Sequence, residues 1–128
     1  MNWFGWTVLA NLPDPDGKPC SHEHPAMVLR GPGSDGGLWV IAISTKFDTP
    51  NRNRFWIECD WQDGGHPVTG LSRPCVLKCN WVVAINRRDV IDYLGQIPLD
   101  VAERASDLAL EYFQERQALG GPPKSGDG

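Results

Sequence analysis

The sequence predicts a single, mainly β domain with C-terminal α structure: a small twisted antiparallel sheet or barrel, a short helix and a long C-terminal helix. Three observations predict it. The chain has 128 residues, 41% of them hydrophobic, enough to bury roughly two thirds of its extended-chain surface in one core but not in two. Five β-rich segments are separated by glycine- and proline-rich punctuation. Beyond Asn86 the apolar period changes from strand-like to helical.

The first strand is Trp6 to Leu12, stopped by Pro13-Asp14-Pro15-Asp16-Gly17, a run of turn formers. Ala26 to Arg30 makes the second, ended by the glycine-rich run Gly31 to Gly37. Leu38 to Ser44 is almost continuously apolar and predicts a central strand buried on both faces. The polar connection Thr45 to Arg54 carries Lys46, Arg52 and Arg54, and loops of that length are often functional. Phe55 to Cys59 is a fourth strand and Val76 to Ile85 a fifth, with Leu77, Cys79, Trp81, Val83 and Ile85 on its better core face.

Asn86-Arg87-Arg88-Asp89 has the pattern of an N-cap with an acidic third position, and Gly95 that of a C-terminal stop, so a short helix is expected between them. The long helix runs from about Asp100 to Leu119. Val101, Ala102, Ala105, Leu108, Ala109, Tyr112 and Phe113 recur at helical spacing opposite a charged face. The domain therefore spans 1–119, and the glycine- and proline-rich 120–128 is expected to be a disordered tail.

The chain has no apolar run long enough for a membrane span and no signal-like N-terminus, which points to a soluble, cytoplasmic protein without a membrane partner. A net charge of -4 argues against a polyanionic partner only if the charge is evenly spread. It is not: residues 44–88 hold seven basic and four acidic side chains, while residues 89–128 hold three basic and eight acidic ones. The positive middle is either a solvated face or a place for phosphate. Among the six tryptophans, Trp56 and Trp81 lie in strands and are expected to pack, whereas Trp3 and Trp61 are the ones placed to stack on bases.

Cys20, Cys59, Cys75 and Cys79 lack the paired spacing of a zinc site. Cys75 and Cys79, four apart on a strand, stand about 13 Å from each other, too far for a mutual disulfide. Reduced core thiols are expected. A zinc site built from Cys20, His22, His24 and a distant cysteine remains the less favoured alternative. Ser21-His22-Glu23-His24-Pro25 is otherwise a surface loop or a source of general acid and base, since imidazole titrates near neutrality; His66 carries the same two readings.

Several segments, in order, resemble the MazF/PemK family of toxin ribonucleases from type II toxin-antitoxin systems. They are Gly5-Trp6-Thr7-Val8, His24-Pro25-Ala26-Met27-Val28-Leu29, Val40-Ile41-Ala42-Ile43-Ser44-Thr45, Thr69-Gly70-Leu71 with Pro74-Cys75, Trp81 to Ile85, and Gly95-Gln96-Ile97. The resemblance covers about Gly5 to Pro98. It implies an SH3-like barrel that dimerises, an endoribonuclease that cuts single-stranded RNA with no metal or other cofactor, and an antitoxin protein that holds it inactive. It also implies a hydroxyl at the end of the third strand, carried over to Ser44 with Thr45 adjacent. The family's positive residue before the proline of the second strand is usually Arg-Pro and reads His24-Pro25 here.

The expected catalytic set is thus His24, Ser44 and Thr45, with Lys46, Arg52, Arg54 and Arg73 holding the RNA backbone. The competing reading is a non-catalytic RNA- or protein-binding module on the same fold.

Overall fold

The computed structural model describes residues 3–13, 18–47 and 53–119. Six strands and one long helix follow in the order β1 (Trp6–Pro13), β2 (Pro19–Arg30), β3 (Gly37–Ser44), β4 (Trp56–Glu58), β5 (Val76–Asn86), β6 (Val90–Gln96) and α1 (Leu99–Leu119). All pairings are antiparallel, in one sheet of order β4-β5-β3-β2-β1-β6. The sheet is mainly β as expected but does not close: β4 and β6 are its two edges. The loop 60–74 spans the gap between them, with the Gln96 N–H donating to the Val68 carbonyl at 2.8 Å.

β2 and β3 are covered on both sides, so their alternation sorts apolar residues into two clusters. Met27, Ile41 and Ile43 face a cluster shared with Ile57, Leu77 and α1, while Ala26, Val28, Val40 and Ala42 face a second one with Val8, Leu12 and Ile85. The helix reaches the first cluster through Ala102, Ala105 and Ala109, all at most 2% exposed. Alanines at this spacing let the helix axis approach closely, with Leu108 and Tyr112 packing at the sides. Phe113, expected on the apolar face, stays 43% exposed.

β5 serves both clusters. Leu77 and Cys79 enter the first and Val83 and Ile85 the second, with Val82 packed on the first. A register shift between Ile41 and Ile43, where the partners jump from Val82 to Leu77, re-aims the side chains between these halves.

The short helix shrinks to one 3-10 turn, Arg87–Asp89. Its capping box forms as the sequence predicts: Asn86 Oδ1 accepts from Arg88 N at 3.1 Å and Asp89 Oδ2 from Asn86 N at 2.8 Å. The cap fixes a single turn only. Val90 onward is extended and pairs with β1, which suits Val90, Ile91 and Tyr93. Gly95 stands there because a Cβ would overlap the Val68 carbonyl, a packing reason and not a helix stop. Among the described residues no helix is long and apolar enough to cross a membrane. The 120–128 tail lies outside the described residues.

Candidate functional site

The second strand begins seven residues earlier than Ala26, at Pro19. Its pairing with β3 ends at Ala26–Ala42, although β1 continues to follow it to Pro19. The next residue outward is Pro25, which brings no N–H to a ladder. β3 meanwhile continues beside β5, with Ile43 opposite Leu77 and Ser44 opposite Val76. The two central strands therefore part, and the opening is a cleft of about 580 Å³.

Four of the sequence-predicted residues, His24, Ser44, Thr45 and Lys46, line this cleft where the strands separate, and Arg73 lines it from the opposite loop. Glu23 adds a carboxylate, while Leu9, Leu71 and Leu94 give an apolar floor. The His24 ring stands edge-to-face on Trp81 with centroids 5.3 Å apart. Trp81 is itself held by an Nε1–H donated to the Pro13 carbonyl at 3.1 Å. Ser44 is 6% exposed, and its Oγ accepts the Lys46 N–H at 3.0 Å. That bond folds the chain back at the strand end and sets Thr45 and Lys46 at the exposed mouth.

Arg73 is placed by a loop with strong internal bonding. Thr7 Oγ1 donates to the Thr69 carbonyl at 2.7 Å, and Thr69 Oγ1 donates to the Asp60 carbonyl at 2.8 Å. Thr7 and Thr69 are both fully buried, so these are costly groups to leave unpaired. His66 belongs to this network: its Nδ1 accepts the N–H groups of Val68 at 3.1 Å and Thr69 at 3.2 Å. These two bonds give the ring a part in holding the loop. His66→Ala is expected to lower unfolding stability by about 1–2 kcal/mol, read as a drop in the urea midpoint at unchanged slope.

Arg54 is not in the cleft. It lies over the Phe55 ring at 4.1 Å and pairs with Glu111 and Glu115 of α1. Arg52 lies outside the described residues, as do the side chains of Cys20 and His22. Among the described residues no group of three His, Cys, Asp or Glu is arranged to hold a metal. Trp3 stacks on Trp6 at 4.8 Å, whereas Trp61 is 42% exposed. Sequence reasoning did not single out Glu23, Trp81 or Cys75 for the site; the proximity of Glu23 to His24 in the chain was the one available signal.

Solved structures resemble this architecture. One is an endoribonuclease in complex with its cognate antitoxin from a mycobacterial species, 16% identical, covering 93% of this chain and 95% of that chain at a TM-score of 0.57. Another is the MazE-MazF complex from Deinococcus radiodurans, 16% identical over 86% of this chain and 92% of that chain, TM-score 0.62. A third is the Mycobacterium tuberculosis toxin MazF-mt6, 19% identical over 84% and 95% of the two chains, TM-score 0.60. This chain has the MazF fold. No protein-family model matches the sequence, and no curated protein matches it. The likeness is thus carried by the three-dimensional arrangement, and within the MazF fold the cleft residues are those that β2, β3 and the 60–74 loop bring together.

Proposed function

We propose that this protein is a toxin endoribonuclease that cuts single-stranded RNA in the cleft between β2 and β3, without a metal and under the control of an antitoxin protein. The observation that carries this reading is the convergence of His24, Thr45, Lys46 and Arg73 on one cleft of a MazF fold. The antitoxin partner is supported by neighbours solved with antitoxin. A homodimer in the cytoplasm accompanies the same reading.

Cleavage of RNA by its own 2′-hydroxyl needs a base for that proton, an acid for the leaving 5′-oxygen and donors for the phosphoryl oxygens. His24 is the titratable ring in the cleft and takes the proton-transfer role. Arg73 forks onto phosphate, Lys46 supplies a second positive charge, and the Thr45 hydroxyl is a donor at the mouth. Ser44 acts through the turn it holds, because its Oγ accepts the Lys46 N–H at 3.0 Å and its O–H is directed at the Lys46 carbonyl at 3.5 Å. That engagement also favours a second reading, a binding module that holds RNA or protein without cutting.

A long single-stranded RNA incubated with the protein and a chelator separates the two. Discrete fragments ending in cyclic phosphate support the ribonuclease; intact RNA at high protein concentration selects the binding module. Arg73→Ala and Lys46→Ala are each expected to weaken RNA binding and to reduce the slope of log affinity against log salt by about 0.7. Titrations at several salt concentrations check this, and an unchanged slope removes the residue from the phosphate contacts.

A further inference from the structure

Cys59 and Cys75 stand at the two ends of the loop that carries Arg73. The β4–β5 register of Trp56 with Lys78, Ile57 with Leu77 and Glu58 with Val76 continues one residue further. There the Cys59 N–H donates to the Cys75 carbonyl at 3.0 Å, so the two cysteines are directly opposed. Opposed residues of an antiparallel pair have Cα atoms about 4.5–5.5 Å apart, inside the roughly 4.4–6.8 Å window of a disulfide. Both side chains enter the same core cluster. Both thiols are free, and the Cys59 Sγ–H donates to the Ile57 carbonyl at 3.9 Å; the neighbouring Cys75 thiol pushes the Cys59 thiol up, with burial adding to the shift, while Cys59 pulls the Cys75 thiol below its ordinary value.

The two cysteines differ in their position relative to the cleft. Both residues are buried, at 5% exposed for Cys75 and 8% for Cys59, but only Cys75 lines the cleft, so a small reagent meets it from there. Cys79 shares the cluster, but its backbone partner is Phe55 and burial pushes its thiol up to about 12.

We propose that Cys59 and Cys75 form a redox-modification site, closing to a reversible disulfide with small-molecule disulfides of the glutathione class. The Cys75 thiolate attacks one sulfur of oxidised glutathione; the S–S bond breaks and one glutathione thiolate leaves. Cys59 then attacks the Cys75 sulfur of the mixed disulfide and expels the second glutathione, which takes up the Cys59 proton. Two protein thiols are oxidised and one disulfide is reduced to two thiols. The bridge ties the base of the 60–74 loop and so fixes the cleft wall that includes Gly70, Leu71 and Arg73. It does not depend on what the cleft binds or cuts.

The test uses the native full-length chain incubated with oxidised glutathione, then denatured, alkylated with iodoacetamide and digested with trypsin. Because the Arg73–Pro74 bond resists trypsin, Cys59 and Cys75 share one fragment, 55–78, while Cys79 begins the next. The expected result is a 55–78 fragment lighter by two hydrogens with no alkyl group, a normally alkylated Cys79, and two alkyl groups on 55–78 once dithiothreitol is added. Cys59→Ser is expected to stop at a glutathione adduct on Cys75. The proposal is overturned by a doubly alkylated 55–78 fragment, by a wild-type chain that keeps glutathione on Cys75 without bridging, or by a bridge from either residue to another cysteine. It is also overturned by a Cys59→Ser chain that takes up no glutathione.

Discussion

His24→Ala should lose at least about 100-fold in RNA cleavage, the lower end of what a positioned general acid or base contributes. The ring is half-buried against Trp81, so the loss must be separated from damage to the fold. His24→Gln keeps most of the volume and a polar end; it should fold with a urea midpoint near that of the parent and still fail to cut. Rate against pH carries more information. A ring that acts as the base must start neutral, so the rate falls as it is protonated, and a bell appears where a second group must be protonated as the acid. Substituting arginine, charged at all working pH values, leaves positive charge without a usable proton. If His24→Arg retains full activity and the parent profile is flat between about pH 5 and 8, position 24 supplies charge alone and proton transfer belongs to another group.

Gly70→Ala should destabilise the chain by about 3–5 kcal/mol, combining left-handed backbone strain with a steric overlap that cannot relax cheaply. Gly70 has φ +75°, and a Cβ there would run into the Leu94 carbonyl and the Leu94 main chain. The obstacle is the backbone of β6 at the register shift between Tyr93 and Gly95, so moving it disturbs the sheet edge on both sides. Gly64 is the internal control. Its φ is +82°, but a Cβ would meet nothing within 4 Å, so Gly64→Ala should cost only the backbone term of about 1–2 kcal/mol. Equal urea midpoints for the two variants would contradict the packing argument. Because Gly70 and Arg73 lie on one loop, Gly70→Ala should also weaken RNA binding as Arg73→Ala does.

Much of the fold is legible in the chain because its strands declare themselves locally. Leu38 to Ser44 reads as doubly buried, and it is the strand flanked by β2 and β5. Two elements were misread for a physical reason each. The stretch from Pro19 to Pro25 is polar and proline-bounded, so its extended form comes from pairing with β1 and not from propensity. Asn86 to Asp89 carries a real helix signal that governs one turn, after which antiparallel pairing with β1 decides the conformation of Val90 to Gln96.

The site divides along the same line. His24 and Ser44 are readable as neighbours once two consecutive strands pair antiparallel. Arg73 reaches them only through contacts such as Thr7 with Thr69, 62 residues apart, which no local pattern encodes. Arg54 is the converse: counted with the positive middle of the chain, it is engaged by the carboxylates of α1.

The open sheet has one more consequence. Two strand edges invite intermolecular pairing, and proteins that leave them uncovered aggregate. Here β4 is only three residues long, and the C-terminal part of β6 is capped by the Gln96–Val68 bond from the 60–74 loop. The loop that shapes the cleft thus doubles as a shield for solubility, and variants that loosen it should precipitate at concentrations the parent tolerates.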